Sequence, residues 1–195
     1  MAFLSDEHLA CSCGKGNKGH CRLLFERYRG YVWNLVRKMV DEPSVTEDLT
    51  QEVFLRVFRG LGGYRGEASF KTWLTRIAVN LCREYMGSMR ERKWASRVQL
   101  DGEDDMDFLA SDLESNQCDP AREITRVEVR QVIQKALSCL SSDHRITIAL
   151  LLEDRSYAEI AEITGVPVRT VGSRIHYAKQ KLRKILEHYV KGNEP

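Results

Sequence analysis

Apolar residues recur every three to four positions through most of the chain, which is the pattern of helices that bury one face. Three such stretches follow one another in the amino-terminal half: residues 22–40, residues 44–58, and a stretch that begins near Ser69. Ser44 or Thr46 can cap the second helix, and Ser69 can cap the third. Sustained alternating runs are few and no Asn-Gly hairpin pair is present, so the chain is predicted to be all-α.

A second pattern, between Ser156 and Lys184, predicts two short helices joined by a tight turn. Ser156 is a suitable N-cap, Gly165 supplies the turn, and Pro167 fits the first turn of the next helix. From residue 164 to residue 185 there are six Lys or Arg residues and no Asp or Glu. A helix with one packed face and one face of donors and positive charge suits the major groove of DNA. The pattern indicates a helix-turn-helix; the alternative is an ordinary helical hairpin whose basic face is solvated.

Charge is segregated along the chain although the net charge is only +2. Between Asp101 and Asp119 eight residues are acidic and none is basic. Large apolar residues are scarce there, which favours a flexible linker over a packed element. We therefore predict two small helical domains joined by an acidic linker. The predicted segments are a cysteine-containing segment at 1–21, a first domain at 22–97, the linker at 98–123 and a second domain at 124–190.

Three motifs follow one another in an informative order. They are EDLTQEVFLRVFRGL at Glu47–Leu61, YRGEASFKTWLTRIAVNLCREY at Tyr64–Tyr85, and the predicted helix-turn-helix. The second contains the string Phe-x-x-Trp-Leu-x-x-Ile-Ala-x-Asn, which is more specific than a generic helix-turn-helix. In this order the motifs resemble the extracytoplasmic-function sigma factors of the sigma-70 family, the smallest specificity subunits of bacterial RNA polymerase. The resemblance implies sigma domain 2 in the first helical domain and sigma domain 4 in the second.

The same resemblance implies the partners of the protein. They would be core RNA polymerase, bound through the clamp of its largest subunit, promoter DNA, and an anti-sigma factor that holds the protein inactive. No cofactor and no small-molecule substrate are expected.

The second motif resembles the segment that melts and reads the minus-ten promoter element. Melting requires a surface that follows phosphates and captures flipped, single-stranded bases. The residues predicted to contact this element are Tyr64, Arg65, Ser69, Phe70, Lys71, Thr72, Arg76, Asn80 and Arg83. Periodicity favours a core position for Trp73, and Phe70 is expected to stiffen the base of the loop. Arg76, Asn80 and Arg83 share one helix face, which we expect to meet DNA.

The helix-turn-helix resembles the reader of the minus-thirty-five element, which stays double-stranded. Phosphate contacts would supply salt-sensitive affinity, and an Arg that reaches a guanine edge would supply sequence choice. The predicted contacts are Arg169, Thr170, Ser173, Arg174, His176, Tyr177 and Lys179. Many members of this family carry Arg where this chain has Gly172, so Arg169 and Arg174 are the expected readers of sequence.

The first motif resembles the helix that grips the polymerase clamp. Matched ion pairs on such a helix would set the register and the rate of association. The predicted contacts are Glu47, Asp48, Gln51, Glu52, Leu55 and Arg56. For any one of these residues a solvated amphipathic face is the alternative, and the assignment rests on the resemblance.

The amino-terminal segment CSCGKGNKGHC brings four soft ligands close together: Cys11, Cys13, His20 and Cys21. Four ligands suffice for tetrahedral zinc, but C-x-C and adjacent His-Cys are not the spacings of the common zinc sites. A cytoplasmic protein is expected to keep its six cysteines as reduced thiols. Reduced, unliganded cysteines are therefore the expectation, with metal binding or redox sensing as alternatives.

Other classes of protein fit the sequence less well. There is no nucleophile–base constellation, no HExxH helix and no paired carboxylates in an apolar setting, so an enzyme is not predicted. No run of eighteen apolar residues and no secretory signal is present, so a cytoplasmic location is expected. The runner-up function is a stand-alone helix-turn-helix transcriptional regulator.

Overall fold

The computed structural model describes residues 4–40, 42–98 and 126–191, and all regular structure in these ranges is helical. The elements are α1 (Asp6–Gly14), α2 (Lys18–Met39), α3 (Pro43–Gly60), a single 3₁₀ turn (Leu61–Gly63), α4 (Phe70–Val98), α5 (Arg126–Ser138), α6 (Ser142–Leu151), α7 (Tyr157–Thr164) and α8 (Val168–Lys191). The all-α prediction is confirmed. No helix in these ranges is both long and apolar enough to cross a membrane.

Helices α1 to α4 form the first unit, in which α2, α3 and α4 pack on one another and α1 contacts all three. Each helix buries the apolar face that its periodicity predicts, with Leu35 on α2, Val53 on α3, and Phe70 and Leu74 on α4 fully or almost fully excluded from solvent. With its apolar face buried in this packing, the long α4 has its other face turned away from α3.

Helix α3 begins at Pro43, two residues before the start that a Ser44 cap would give, and its predicted caps are wrong. Glu42 is the N-cap residue and makes no side-chain capping bond, and Pro43 opens the helix. Proline stabilises this position because it has no amide hydrogen to leave unpaired and its φ is already helical. Thr46 is buried inside the helix and its hydroxyl donates to the Glu42 carbonyl at 2.9 Å.

Helices α5 to α8 form the second unit, and the turn between α7 and α8 follows the predicted chemistry. The Ser156 hydroxyl accepts from the Glu159 amide at 3.2 Å while the Glu159 carboxylate accepts from the Ser156 amide at 2.9 Å, a complete capping box. Gly165 ends α7 at φ 72°, a left-handed conformation that is costly for residues with a Cβ. The second helix of the motif can therefore leave sharply from the first.

The two units pack directly against each other and share one hydrophobic core. Ile146 and Leu150 of α6 and Ile160 of α7 belong to the same buried cluster as Leu35 and Leu74. The main contacts between the units join α2 to α6 and α4 to α7. The predicted acidic linker lies outside the described residues apart from its first position.

Candidate nucleic-acid and polymerase interfaces

The predicted polymerase-binding residues line the outer face of α3. Glu47, Asp48, Gln51 and Leu55 are exposed, and the Leu55 side chain is open to solvent over 49% of its area. Arg56 pairs with Glu52 at 3.0 Å and with Glu84 of α4 at 2.9 Å. Among the described elements, those that pack extensively on α3 all belong to the first unit, and they leave this mixed charged and apolar face open to a partner.

The loop before α4 is built on a cluster of aromatic rings. The Phe70 ring is fully buried, and its centroid lies 5.3 Å from that of Tyr28 and 6.1 Å from those of Tyr64 and Trp73. The Tyr64 hydroxyl donates to the Ala68 carbonyl at 2.7 Å, which closes the loop on itself. Burial raises the pKa of Tyr64, and the nearby acidic residues of α1 raise it further. A preformed loop of this kind can present its exposed positions to a partner without first having to order itself.

The predicted minus-ten residues divide into accessible and structural side chains. Arg65, Ser69 and Asn80 are exposed. Phe70 and Thr72 are buried. Because buried side chains cannot reach a base without local unfolding, Phe70 and Thr72 can only shape the loop in this conformation. The Ser69 hydroxyl does so too, since it accepts from the Thr72 amide at 3.1 Å and caps α4.

The basic face of α4 is turned toward the second unit. The Arg76 guanidinium donates to the carboxylate and to the backbone carbonyl of Glu162, both at 3.2 Å. The Arg83 guanidinium lies 4.0 Å from the carboxylate of Asp143. Asn80 lies between them, exposed, in a shallow groove that Arg83 also lines. Two of the three side chains predicted to meet DNA on this face are thus engaged by acidic partners.

Lys71, at the start of the same helix, lies at a junction of both units. Its ammonium group is 4.7 Å from the centre of the Tyr31 ring, a cation–π distance. The Tyr31 hydroxyl shares a hydrogen bond with Thr75 at 2.8 Å and accepts one from Arg155 of the second unit at 3.4 Å. Arg155 also donates to Glu159 at 2.7 Å, which ties the capping box of α7 to the first unit.

Helix α8 exposes a basic and aromatic face next to the turn. Its apolar face buries Val171, Ile175 and Ala178. The opposite face exposes Arg169, Ser173, His176, Tyr177 and Lys179, and Thr170 is half-buried. The His176 and Tyr177 rings contact edge to face at 5.6 Å, and Tyr177 is 59% exposed. This face has the donors, charge and reach of a helix that enters a major groove.

Arg174 differs from its neighbours on α8. It is only 19% exposed, and its guanidinium donates to the Asp143 carboxylate of α6 at 2.6 Å. The pair ties α8 to α6 inside the second unit. Gly172, in contrast, has room, since an added Cβ would meet only the Tyr157 ring, at 4.0 Å. The lack of an arginine at position 172 is therefore not imposed by space.

Comparison with known families assigns both units. The family model of Sigma-70 region 2 matches residues 24–95, and that of Sigma-70 region 4 matches residues 130–182. The RNA polymerase sigma-H factor of Pseudomonas aeruginosa is 30% identical over 185 residues, which cover 93% of this chain and 94% of that protein. The ECF RNA polymerase sigma-E factor of Escherichia coli is 34% identical over 180 residues, covering 92% and 93%.

The chain belongs to the extracytoplasmic-function sigma factors of the sigma-70 family. Solved structures share the fold of this sigma factor. CnrH, in its complex with the cytosolic domain of CnrY, matches with a TM-score of 0.66 at 21% identity, over 94% of this chain and 97% of CnrH. The sigma factor RpoE of Bartonella quintana, in complex with NepR, matches with a TM-score of 0.61 at 20% identity, over 85% and 96%. The family inferred from the three motifs is confirmed.

Sequence reasoning missed the acidic side chains of sigma domain 4 that face sigma domain 2. Glu162 and Asp143 engage Arg76 and Arg83, and Glu153 of domain 4 forms an ion pair with Lys38 of α2. One sequence signal existed, because from Asp143 to Glu162 five residues are acidic and only two are basic, just before the basic stretch of the helix-turn-helix. Nothing in the sequence pairs them with cations that lie sixty to more than a hundred positions away.

The expectation of reduced cysteines is wrong for one pair in the sigma factor. Cys13 and Cys21 are joined by a disulfide, whereas Cys11, Cys82 and Cys139 are free. The turn from α1 into α2 brings the pair together, with Cα atoms 5.0 Å apart, within the usual range for a disulfide. Among the described residues no group of three or more His, Cys, Asp or Glu side chains has the geometry to hold a metal ion. Cys118 lies outside them.

Proposed function

We propose that this sigma factor binds core RNA polymerase, recognises promoters through two elements and helps to open the DNA at the upstream edge of the transcribed region. The proposal is carried by one observation: a single chain of this family has three distinct faces, each with chemistry suited to a different partner. They are the exposed face of α3 for the clamp of the largest polymerase subunit, the loop and basic face of α4 for single-stranded DNA, and the exposed face of α8 for duplex DNA. We infer that it acts by binding and catalyses no reaction itself.

The order of binding follows from which faces are open. The α3 face is accessible, whereas Arg76 and Arg83 of α4 are engaged by domain 4. Polymerase can therefore bind first, and separation of the two domains on polymerase frees the α4 face for the minus-ten element. This order would limit promoter binding by the free sigma factor, since freeing those cations costs their ion pairs.

An anti-sigma factor is the proposed regulatory partner. Both solved structures described above are complexes with a second protein, and in the Bartonella quintana complex that protein, NepR, is an anti-sigma factor. A partner that stabilises the closed arrangement of domains 2 and 4 would keep the α4 face covered. The promoter and the polymerase are cytoplasmic, so we place the active protein in the cytoplasm.

Reconstituted transcription tests the proposal. The full chain would be added to core polymerase on fragmented host DNA, and transcript starts would be mapped. Starts that share two spaced upstream elements are expected, and they should be lost with Asn80→Ala or Arg169→Ala. Arg22→Ala is the matched control, since Arg22 is 81% exposed and its ion pair within the described residues is with Glu26 on its own helix. Duplex binding without core binding or transcripts would instead identify a stand-alone regulator.

A further inference from the structure

The disulfide between Cys13 and Cys21 closes the hairpin formed by α1 and α2. Cys13 is nearly buried at the end of α1, and Cys21 is partly exposed on the first turn of α2. The turn between them is otherwise held by backbone bonds and by the Asn17 side chain, which accepts from the His20 amide at 3.2 Å. The disulfide adds a covalent cross-link between α1 and α2 to the main-chain connection through the turn.

Helix α1 in turn supports the loop that is proposed to read the minus-ten element. Leu9 and Ala10 are buried, and an added Cβ at Gly14 would lie 3.0 Å from the Leu61 carbonyl oxygen. That carbonyl accepts from the Tyr64 amide at 3.2 Å at the start of the loop. The end of α1, which carries Cys13, is therefore in direct backbone contact with the base of the DNA-reading loop.

The start of α1 supports the same loop from its other side. Asp6 accepts hydrogen bonds from the Tyr28 hydroxyl and the Arg27 guanidinium. The Tyr28 ring packs on Phe70, the buried ring at the centre of the aromatic cluster. Helix α1 is thus fixed at both ends to residues that shape the loop, and it has only nine residues with which to hold its place.

We propose that Cys13 and Cys21 form a reversible redox clamp, whose disulfide seats α1 and stiffens the minus-ten loop and whose reduction releases both. The proposal rests on the proposed function, because a protein that acts on chromosomal DNA works where thiols are kept reduced, and disulfides there are usually transient or redox-sensing. Hydrogen peroxide is the oxidant we name. It would convert the more exposed Cys21 thiol to a sulfenic acid with release of water, and the Cys13 thiol would displace a second water to form the disulfide. A dithiol, itself oxidised to a disulfide, would return both thiols.

Cys82 is poorly suited to the same reaction, and Cys11 serves as a control. Cys82 is buried, and burial raises the pKa of its thiol to about 12, so the reactive thiolate is scarce. Cys11 is exposed and free. It is the natural control, because it lies two positions from Cys13 and has no bonded partner.

Peptide mapping of the full chain tests the bond itself. Trypsin cuts after Lys15 and Lys18, so Cys13 and Cys21 fall in separate peptides, 1–15 and 19–22, that only a disulfide can join. In Cys11→Ser, peroxide should join these peptides and dithiothreitol should separate them. The proposal would be overturned if the joined peptides of Cys11→Ser resist dithiothreitol, or if peroxide produces no joined peptides. One zinc ion per reduced chain, measured by mass spectrometry of the metal, would also overturn it.

Hydrogen exchange tests the clamp without polymerase, so its failure is distinguishable from failure of the proposed function. Reduction should speed exchange of the amides in α1 and of Tyr64 several-fold, and leave the amides of α8 unchanged. Cys13→Ser and Cys21→Ser should show the fast exchange in both redox states, and Cys11→Ser should respond as the unaltered chain does. Equal exchange in the oxidised and reduced chains would refute the clamp.

A transcription assay then tests the consequence for DNA opening. With polymerase present, the oxidised chain should yield more open complex than the reduced chain at equal core binding. The double variant Cys13→Ser/Cys21→Ser should lose this difference. A redox response that persists in the double variant would assign the effect to another cysteine and discard the clamp.

Discussion

The Glu159 carboxylate makes two interactions in the first turn of α7, and the effect of protonating it on stability can be measured. Its carboxylate accepts from the Ser156 amide and pairs with Arg155, and these bonds lower the pKa of Glu159 to about 2. A depressed folded-state pKa stabilises the fold above the unfolded value near 4.5, and this stabilisation is lost as the pH falls toward 2. Solvent screening limits its size, since the side chain is 39% exposed.

Glu159→Gln should therefore lower the free energy of unfolding by roughly 0.5–1 kcal/mol at neutral pH, because the pair with Arg155 is lost while an amide oxygen can still accept from the Ser156 amide. The difference between the variant and the unaltered chain should narrow as the pH falls from 4.5 toward 2. Urea unfolding followed by circular dichroism over this pH range measures it. A difference that stays constant with pH would show that the carboxylate charge has no part in the cap.

Arg169 and Arg174 lie on the same helix and are predicted to behave differently. Arg169→Ala should weaken binding to a duplex minus-thirty-five element by about 1–3 kcal/mol and leave unfolding unchanged, because this side chain is exposed. Arg174→Ala should instead lower the free energy of unfolding by roughly 0.5–1 kcal/mol, because it breaks the pair with Asp143. Fluorescence anisotropy and urea unfolding measure the two effects. Loss of sequence preference in Arg174→Ala at unchanged stability would make Arg174 the reader.

At the scale of elements, we predict opposite changes in stability when two glycines on adjacent helices are replaced by alanine. Gly14→Ala should destabilise the sigma factor, because the new Cβ would press on the Leu61 backbone at 3.0 Å. Gly30→Ala should stabilise it by about 0.5–1 kcal/mol, because Gly30 lies inside α2, is exposed and would meet nothing within 4 Å. Thermal unfolding of both variants measures the contrast. A Gly14→Ala variant as stable as Gly30→Ala would mean that α1 is not seated on the 3₁₀ turn.

The helices themselves were predictable because local patterns determine them. The apolar periodicity of α2, α3 and α4, the capping box at Ser156 and the turn at Gly165 are each readable within a few residues. The start of α3 was missed because three start signals lie within four positions: Pro43 at N1 and the possible hydroxyl caps Ser44 and Thr46. The Thr46 hydroxyl does not cap the helix, because it donates to a backbone carbonyl. The Cys13–Cys21 disulfide was missed because the expected compartment argued against it, although the short turn between α1 and α2 brings the cysteines together.

At the scale of the whole molecule, the sequence does not predict the contacts between domains 2 and 4. These contacts decide which surfaces are open to a partner. Lys38, Arg76 and Arg83 of domain 2 meet Glu153, Glu162 and Asp143 of domain 4. The local sequence around each of these side chains gives no sign of a partner, and only the tertiary arrangement brings the pairs together. Opposite charges across one interface, over a shared apolar core, favour the closed arrangement and engage Arg76 and Arg83 of the α4 face.

Neutralising the acidic side of this interface should open the molecule. In the double variant Glu153→Gln/Glu162→Gln, Lys38 and Arg76 lose their carboxylate partners, so the closed arrangement is disfavoured and Arg76 keeps, within the described residues, only its bond to the backbone carbonyl of residue 162. Phosphates can then compete for Arg76 more easily. We expect a more extended particle in small-angle X-ray scattering and tighter binding to a single-stranded minus-ten oligonucleotide without polymerase. The control is Glu26→Gln/Glu187→Gln, which changes the net charge equally but alters only pairs within α2 and α8. If both double variants scatter and bind DNA as the unaltered chain does, these ion pairs do not govern access to the α4 face, and the shared apolar core and the remaining hydrogen bonds between the units hold the domains together.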